Sequence, residues 1–356
     1  MKKYFTLISF ICFAVLKLTS SNAQTVAVYS NNKEANADYL KALEYIKIGN
    51  PRTGGSVDSL VIATQLLEKA VVADSLFIRA YIELSNTYWM FDYSYPNSEK
   101  YESMVMQILP KAKSVIAKAL KADSTSSAAY TALARMNLNY EYKWDEALQN
   151  FAKAIHYDSS IASNYSYYAQ TLALKSKWET AQQWIDKANT KGPNDNRVLL
   201  TSGIYYNWKR DYVKADAALK KINPQNVTSH FFTGLTYLNA GKTDKALTIL
   251  KRLYNDYEQY DGGSKALLAY ALVENGQMEE GRKLLNRSYE LKQSVNYRAA
   301  ACFVALKEYG KAIKLLEECF NEHGNWMIWL KYDKAWDPIR NKKRFKRLID
   351  KMRFDR

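Results

Sequence analysis

One arrangement of apolar and polar positions returns along this chain. A small residue stands midway through a helix-forming stretch at Ala63, Ala112, Ala147, Ala181, Ala215, Ala246, Gly281 and Ala312. The last seven are separated by 35, 34, 34, 31, 35 and 31 residues, while the first gap, 49, holds an insertion near 91–103. Four residues after each comes a bulky apolar side chain: Leu67, Ile116, Phe151, Ile185, Leu219, Leu250, Leu285 and Leu316. Four of the stretches add an alanine three residues later, at Ala70, Ala119, Ala154 and Ala188. Offsets of four and three share one helical face, so each stretch predicts an amphipathic helix with a flat seam. A partner helix is predicted ahead of each, marked for example by Tyr81, Leu84 and Tyr88, by Tyr165, Ala169 and Leu172, and by Gly203 and Gly234. Stop signals separate the pairs, among them Ala73-Asp74-Ser75, Ala122-Asp123-Ser124 and Lys191-Gly192-Pro193. Their Asp and Ser supply capping oxygens, and Pro suits a helix's first turn.

This pattern resembles the tetratricopeptide repeat, a helix–turn–helix unit of about 34 residues. Asn164 to Pro193 is the cleanest unit, and Gly241-Lys-Thr-Asp-Lys-Ala246-Leu is similar to that family's turn into the second helix. The resemblance implies an all-α fold, a superhelical solenoid of antiparallel helix pairs, with about eight units over residues 38–322. An N-terminal tail (24–37) would precede them and a capping segment (323–356) would follow. Within that segment, Trp326-Met-Ile-Trp329 and Trp336-Asp337-Pro338-Ile339-Arg340 are similar to the end of the repeat regions in bacterial membrane-anchored winged-helix regulators and adenylate cyclases. Trp144-Asp145-Glu146-Ala147 resembles a turn common in those proteins. Their DNA-binding and catalytic domains have no counterpart here, so only the shape of a sensor or docking region carries over. Since a solenoid's last repeat exposes an apolar face, the aromatic tail is expected to cover it.

Residues 1–23 read as a secretory signal: Lys2 and Lys3, an apolar run from Tyr4 to Leu16, then Ser21-Asn22-Ala23 before Gln24. The run is too short to span a bilayer. Export predicts a periplasmic or secreted protein. Without the leader the net charge is about +12, from 48 basic and 36 acidic residues. So basic a chain could bind nucleic acid, but export and the spread of its charges along helices argue against that. An acidic peptide or anionic surface is the better electrostatic partner.

The chain has three histidines, each in a different repeat and without partners at ligand spacing, so no metal site is expected. Neither a G-x-S-x-G elbow nor a phosphate-cradling glycine loop is present, and no catalytic residue or cofactor is predicted. Cys302 and Cys319, on the paired helices of the last repeat, either bridge or serve as small apolar groups. Candidate binding residues lie on the first helices, facing the inner groove: Arg79, Asn86, Trp89, Arg135, Asn139, Gln170, Arg197, Asn207, Trp208 and Tyr270. Arg, Asn and Gln in such a row suit an extended peptide, held through hydrogen bonds to its backbone. The expected function is therefore an exported, non-catalytic scaffold for a protein or peptide segment. A ligand-sensing module working with a membrane partner, and a polysaccharide-handling enzyme, are the alternatives.

Overall fold

In a computed structural model the described residues are 28–50, 56–94, 104–223, 226–256, 262–289 and 294–354. The predicted leader and most of the expected insertion near 91–103 lie outside them. Among the described residues there are seventeen α-helices and no strands.

Sixteen helices form eight antiparallel pairs. They are α1 (Lys33–Ile48) with α2 (Val57–Ala73), α3 (Ile78–Ser94) with α4 (Met104–Ala122), and α5 (Ser127–Met136) with α6 (Trp144–Tyr157). Next come α7 (Ala162–Leu174) with α8 (Trp178–Lys191), α9 (Asn196–Trp208) with α10 (Tyr212–Leu219), and α11 (Val227–Asn239) with α12 (Thr243–Asp256). The last two pairs are α13 (Gly262–Glu274) with α14 (Met278–Tyr289), and α15 (Ser294–Ala305) with α16 (Tyr309–Asn321). The first helix starts at Lys33, inside the stretch expected to be a tail. Asn32 caps it by accepting from the Ala35 amide, and the Asn36 side chain accepts from the amides of Tyr29 and Ser30.

The seam is buried as its spacing requires. All seven of its alanines, from Ala63 to Ala312, are fully buried, and so are the bulky residues four positions on. The small residues of the first helices complete the fit. A Cβ at Gly203 would stand 2.7 Å from Leu219, and one at Gly234 would stand 2.6 Å from Leu250. At Gly281, where the family pattern has alanine, the close neighbours include the partner helix's backbone. A Cβ there would meet the Ala269 carbonyl oxygen at 2.9 Å, so two backbones approach more tightly than alanine allows.

Each turn within pairs three to eight passes through one left-handed residue: Tyr142, Ser176, Arg210, Gly241, Gly276 and Lys307. The hydrogen bonds are those that close a helix C-terminus by the 6→1 and 5→2 pattern; Lys177 N donates to Leu172 O and Ser176 N to Ala173 O. Four of the six residues carry side chains, although a left-handed conformation costs a non-glycine residue about 1–2 kcal/mol. The compensation for three of them lies in the tail.

That tail corrects the expected cap. It consists of two 3₁₀ turns, Asn325–Trp329 and Lys334–Ile339, and a final helix, α17 (Lys343–Met352). It does meet the last pair: the Trp336 indole donates to Tyr297 Oη at 2.8 Å, and Arg344 pairs with Glu317 at 2.6 Å. But it also runs back across the inner side of the arc to the third pair. Tyr142 Oη donates to Gly324 O (2.9 Å), Lys331 Nζ to Ser176 Oγ (2.7 Å), and Arg210 Nη2 to Asp337 Oδ1 (2.7 Å). The left-handed turn residues thus hold the tail. Trp144 Nε1 reaches Met352 O at 2.9 Å, and Phe320 of α16 stacks on Tyr142 with centroids 5.9 Å apart. Superhelical curvature brings the end of the array back to its third unit. One continuous apolar core joins pairs three to eight and the tail, while pairs one and two, with part of α5, have their own.

At the centre of the tail Arg298 and Asp333 form an ion pair at 2.7 Å with both side chains fully buried. Asp333 Oδ1 also accepts from the Ala335 amide, capping the second 3₁₀ turn. The guanidinium is enclosed by aromatic rings, 4.6 Å from Trp326 and 5.6 Å from Trp329, and its Nε and Nη2 donate to no acceptor.

Candidate functional site

Along the inside of the arc the first helix of each pair turns its non-seam face inward. The tail fills the part of this lumen near the turns and leaves a cavity of about 540 Å³ beyond it. Helices α3, α5, α7, α9, α11 and α13 contribute walls, and Trp326, Ile328 and Trp329 of the tail form the floor.

Six of the ten residues expected to form the groove line this cavity: Asn86 and Trp89, Arg135 and Asn139, Gln170, and Arg197. Each comes from the first helix of its pair or, for Asn139, from the π-helical turn Asn137–Glu141 that ends α5. Trp89 is stacked on Tyr140 with centroids 4.3 Å apart. The Arg135 guanidinium lies over the Tyr167 ring at 5.7 Å, and Asn139 Nδ2 donates to the Arg135 carbonyl at 2.9 Å. Arg197 is exposed. Behind Asn86 stands Glu83, whose carboxyl burial pushes up; a hydrogen bond from Asn86 and the charge of Arg197 offset this in part.

The other four are placed elsewhere, and the expectation for them is corrected. Arg79 sits over the Tyr29 ring at 5.1 Å, beside the chain's approach to α1. Asn207 is buried between pairs, donating to Thr236 Oγ1 at 2.9 Å and accepting from Asn239 at 3.0 Å. Trp208, at the turn end of α9, is covered by the tail, edge-on to Trp329 at 5.4 Å. Tyr270 is buried within α13's packing, and desolvation holds its phenol well above the usual range. Trp208 lies at lumen depth, as its helix face implies, but there the tail occupies the space a ligand would need.

Of the cavity residues that escaped the sequence reading, three bear on its chemistry. Tyr167 supports Arg135, and Trp329 belongs to the segment assigned to capping. Lys265 is only 7% exposed in the wall. Its signal was available: a single lysine opening the wholly apolar run Ala266–Val273. Among the described lining residues three are cationic, Arg135, Arg197 and Lys265, and none is acidic.

No group of three or more His, Cys, Asp and Glu side chains is poised to hold a metal ion among the described residues. His323 Nδ1 lies 2.7 Å from the Tyr140 carbonyl, a contact that joins the tail to the third pair. Cys302 and Cys319 are free, buried thiols. Burial pushes Cys302 up to about 12 and Cys319 further in the same direction. Among the described residues no helix is long and apolar enough to cross a membrane.

Residues 233–259, the end of α11 through α12, match the family model described as tetratricopeptide repeat. Among solved structures the chain is similar to a tetratricopeptide repeat protein from Parabacteroides merdae, at 11% identity and TM-score 0.50, covering 79% of this chain and 99% of that one. It is also similar to yeast Tom70, at 17% identity and TM-score 0.50, covering 92% and 69%. A third similar structure is the human IFIT1 dimer with m7Gppp-AAAA, at 12% identity and TM-score 0.52, covering 92% and 93%. At these identities the likeness is one of fold. No curated protein matches the chain. With its buried small-residue seam, its eight helix pairs and the matched unit at 233–259, the chain has the fold of a tetratricopeptide-repeat solenoid.

Proposed function

We propose that this protein is an exported, non-catalytic binding scaffold that takes an acidic protein or peptide segment into the lumen of its solenoid. One observation carries the reading: first helices of successive pairs converge on a single cavity whose described lining residues include three cations, several amides and no carboxylate. Amides such as Asn139 and Gln170 suit the backbone of an extended segment, and the cations suit acidic side chains. Export rests on the leader, and intact mass of the protein recovered from its native host should begin at Gln24.

The test starts from a partner recovered with the mature protein from an envelope extract, followed by calorimetry on defined segments of it. A hydrogen bond to a charged group contributes about 1.5–3 kcal/mol, so Arg197→Ala should weaken binding tenfold or more. Because Arg197 is exposed and off the seam, the fold should be unaffected. Raising ionic strength should weaken the complex further. Unchanged affinity for the variant, with unchanged stability, would place binding outside the lumen.

A further inference from the structure

Helix α17, at the end of the tail, has two unlike faces. Phe345, Leu348 and Met352 are buried, and Phe354 just beyond them stacks on Trp144 with centroids 5.4 Å apart. The outward face is cationic. From Lys342 to Arg353 the chain has seven basic residues and one acid, Asp350, the densest positive run in the sequence. Arg344 is paired with Glu317, and Lys342 and Lys351 lie over the rings of Tyr309 and Phe320. Lys343, Lys346, Arg347 and Arg353 are exposed and form no ion pair among the described residues. Offsets of three and four set Lys343, Lys346 and Arg347 together, opposite the buried stripe.

The helix's own stability does not account for this charge. Lys343 with Arg347, and Arg347 with Lys351, are like charges four residues apart, a spacing that destabilises a helix. Its first turn has cations and no acid, against the helix dipole, whereas α6 opens with Asp145 and Glu146 and α8 with Glu179. An anionic surface laid against the face would relieve both costs.

We infer that the outer face of α17 is a docking surface for an anionic lipid bilayer, held by electrostatics alone. Long, flexible cationic side chains on one helix face suit headgroups that rearrange beneath them and need no matched shape. The face has no exposed ring to stack on a nucleic-acid base, since Phe345 and Phe354 are both buried. The apolar side chains that an inserting helix would place in lipid are likewise committed to the fold, so the contact is peripheral. The choice of a membrane rests on the export proposed above, which sets the protein beside the envelope.

The test is co-sedimentation of the mature protein with vesicles of phosphatidylcholine, either alone or with one part in three of phosphatidylglycerol. Binding is expected only to the mixed vesicles and should fall as ionic strength rises. A Lys or Arg near an anionic surface contributes about fivefold in partition, so Lys343→Gln/Lys346→Gln/Arg347→Gln should weaken binding about a hundredfold. The melting temperature of this variant should not fall, because it removes exposed like charges. Lys111→Gln/Lys118→Gln/Lys121→Gln removes the same charge from the exposed side of α4 and should bind nearly as the parent does. Equal binding to both kinds of vesicle, or equal losses in the two triple variants, would overturn the inference. Tighter binding of the α17 face to a duplex oligonucleotide than to the mixed vesicles would also overturn it. If the vesicles are not bound while a partner segment still enters the lumen, this inference fails and segment binding stands. If the vesicles are bound and no segment is, the reverse holds.

Discussion

Replacing Asp333 with alanine should detach the tail without unfolding the solenoid. The substitution leaves Arg298 with no carboxylate, in a site from which water is excluded. Two of its donor nitrogens already lack acceptors, so no local group is available to take over the bond. Breaking a buried pair by removing one partner costs about 3–5 kcal/mol. Loss of the cap on Ala335 N adds about 1 kcal/mol. A loss of about 4 kcal/mol in the free energy of local opening corresponds to about three powers of ten in amide exchange. Hydrogen exchange read by mass spectrometry over peptides spanning 325–340 would measure it directly, with helices α1 to α4, in the separate N-terminal core, as an internal reference. The double variant Arg298→Met/Asp333→Leu should recover most of the protection, since apolar replacements of a buried pair are often neutral or stabilising. If Asp333→Ala left exchange in the tail within tenfold of the parent, the pair would not be what holds the tail, and the aromatic contacts would have to suffice.

Three further outcomes follow from the packing and charges. Gly281→Ala gains about 1 kcal/mol in helix propensity but forces a Cβ to 2.9 Å from the Ala269 carbonyl, an overpacking that costs about 1–3 kcal/mol. Net loss of exchange protection in α13 and α14 is expected, and a stabilised variant would refute the close approach. Burial pushes the Asp337 carboxyl up, but Arg210 and Arg340 more than offset it and hold it below its ordinary value of 3.8. Its contribution is therefore complete above that value and is lost as pH falls through the lower folded one; acid-induced change in tail tryptophan fluorescence should lack this component in Asp337→Asn. Finally, Cys302 and Cys319 should resist iodoacetamide at neutral pH in the native protein and both react in denaturant, whereas a disulfide would leave both unreactive in either state.

The seam was legible because periodicity reports which face of a helix is buried, and Ala181 with Ile185 lies where that face places it. The same logic found Arg135 and Gln170, whose helix face turns into the lumen. It failed for Trp208 and Asn207 because a helix face says nothing about what covers it from a distant part of the chain. The tail's bonds to Tyr142 and Trp144 span 182 and 208 residues, beyond any local pattern. Left-handed turn residues were equally silent in the sequence. Gly241 announces one, but Tyr142, Ser176 and Arg210 occupy the same conformation with ordinary side chains.

Those three side chains change the mechanics of the array. A solenoid whose units touch only their neighbours behaves as a spring, stretching or unwinding by small increments at every joint. Here Tyr142, Ser176 and Arg210 fasten successive turns to one strap, and Phe320 meets Tyr142 where the strap begins. Pairs three to eight are therefore clasped, with their pitch fixed by the length of the tail. Pairs one and two lie outside the clasp, in a core they share with part of α5, so α3 meets the rest of the cavity through contacts such as Trp89 on Tyr140 rather than through the strap.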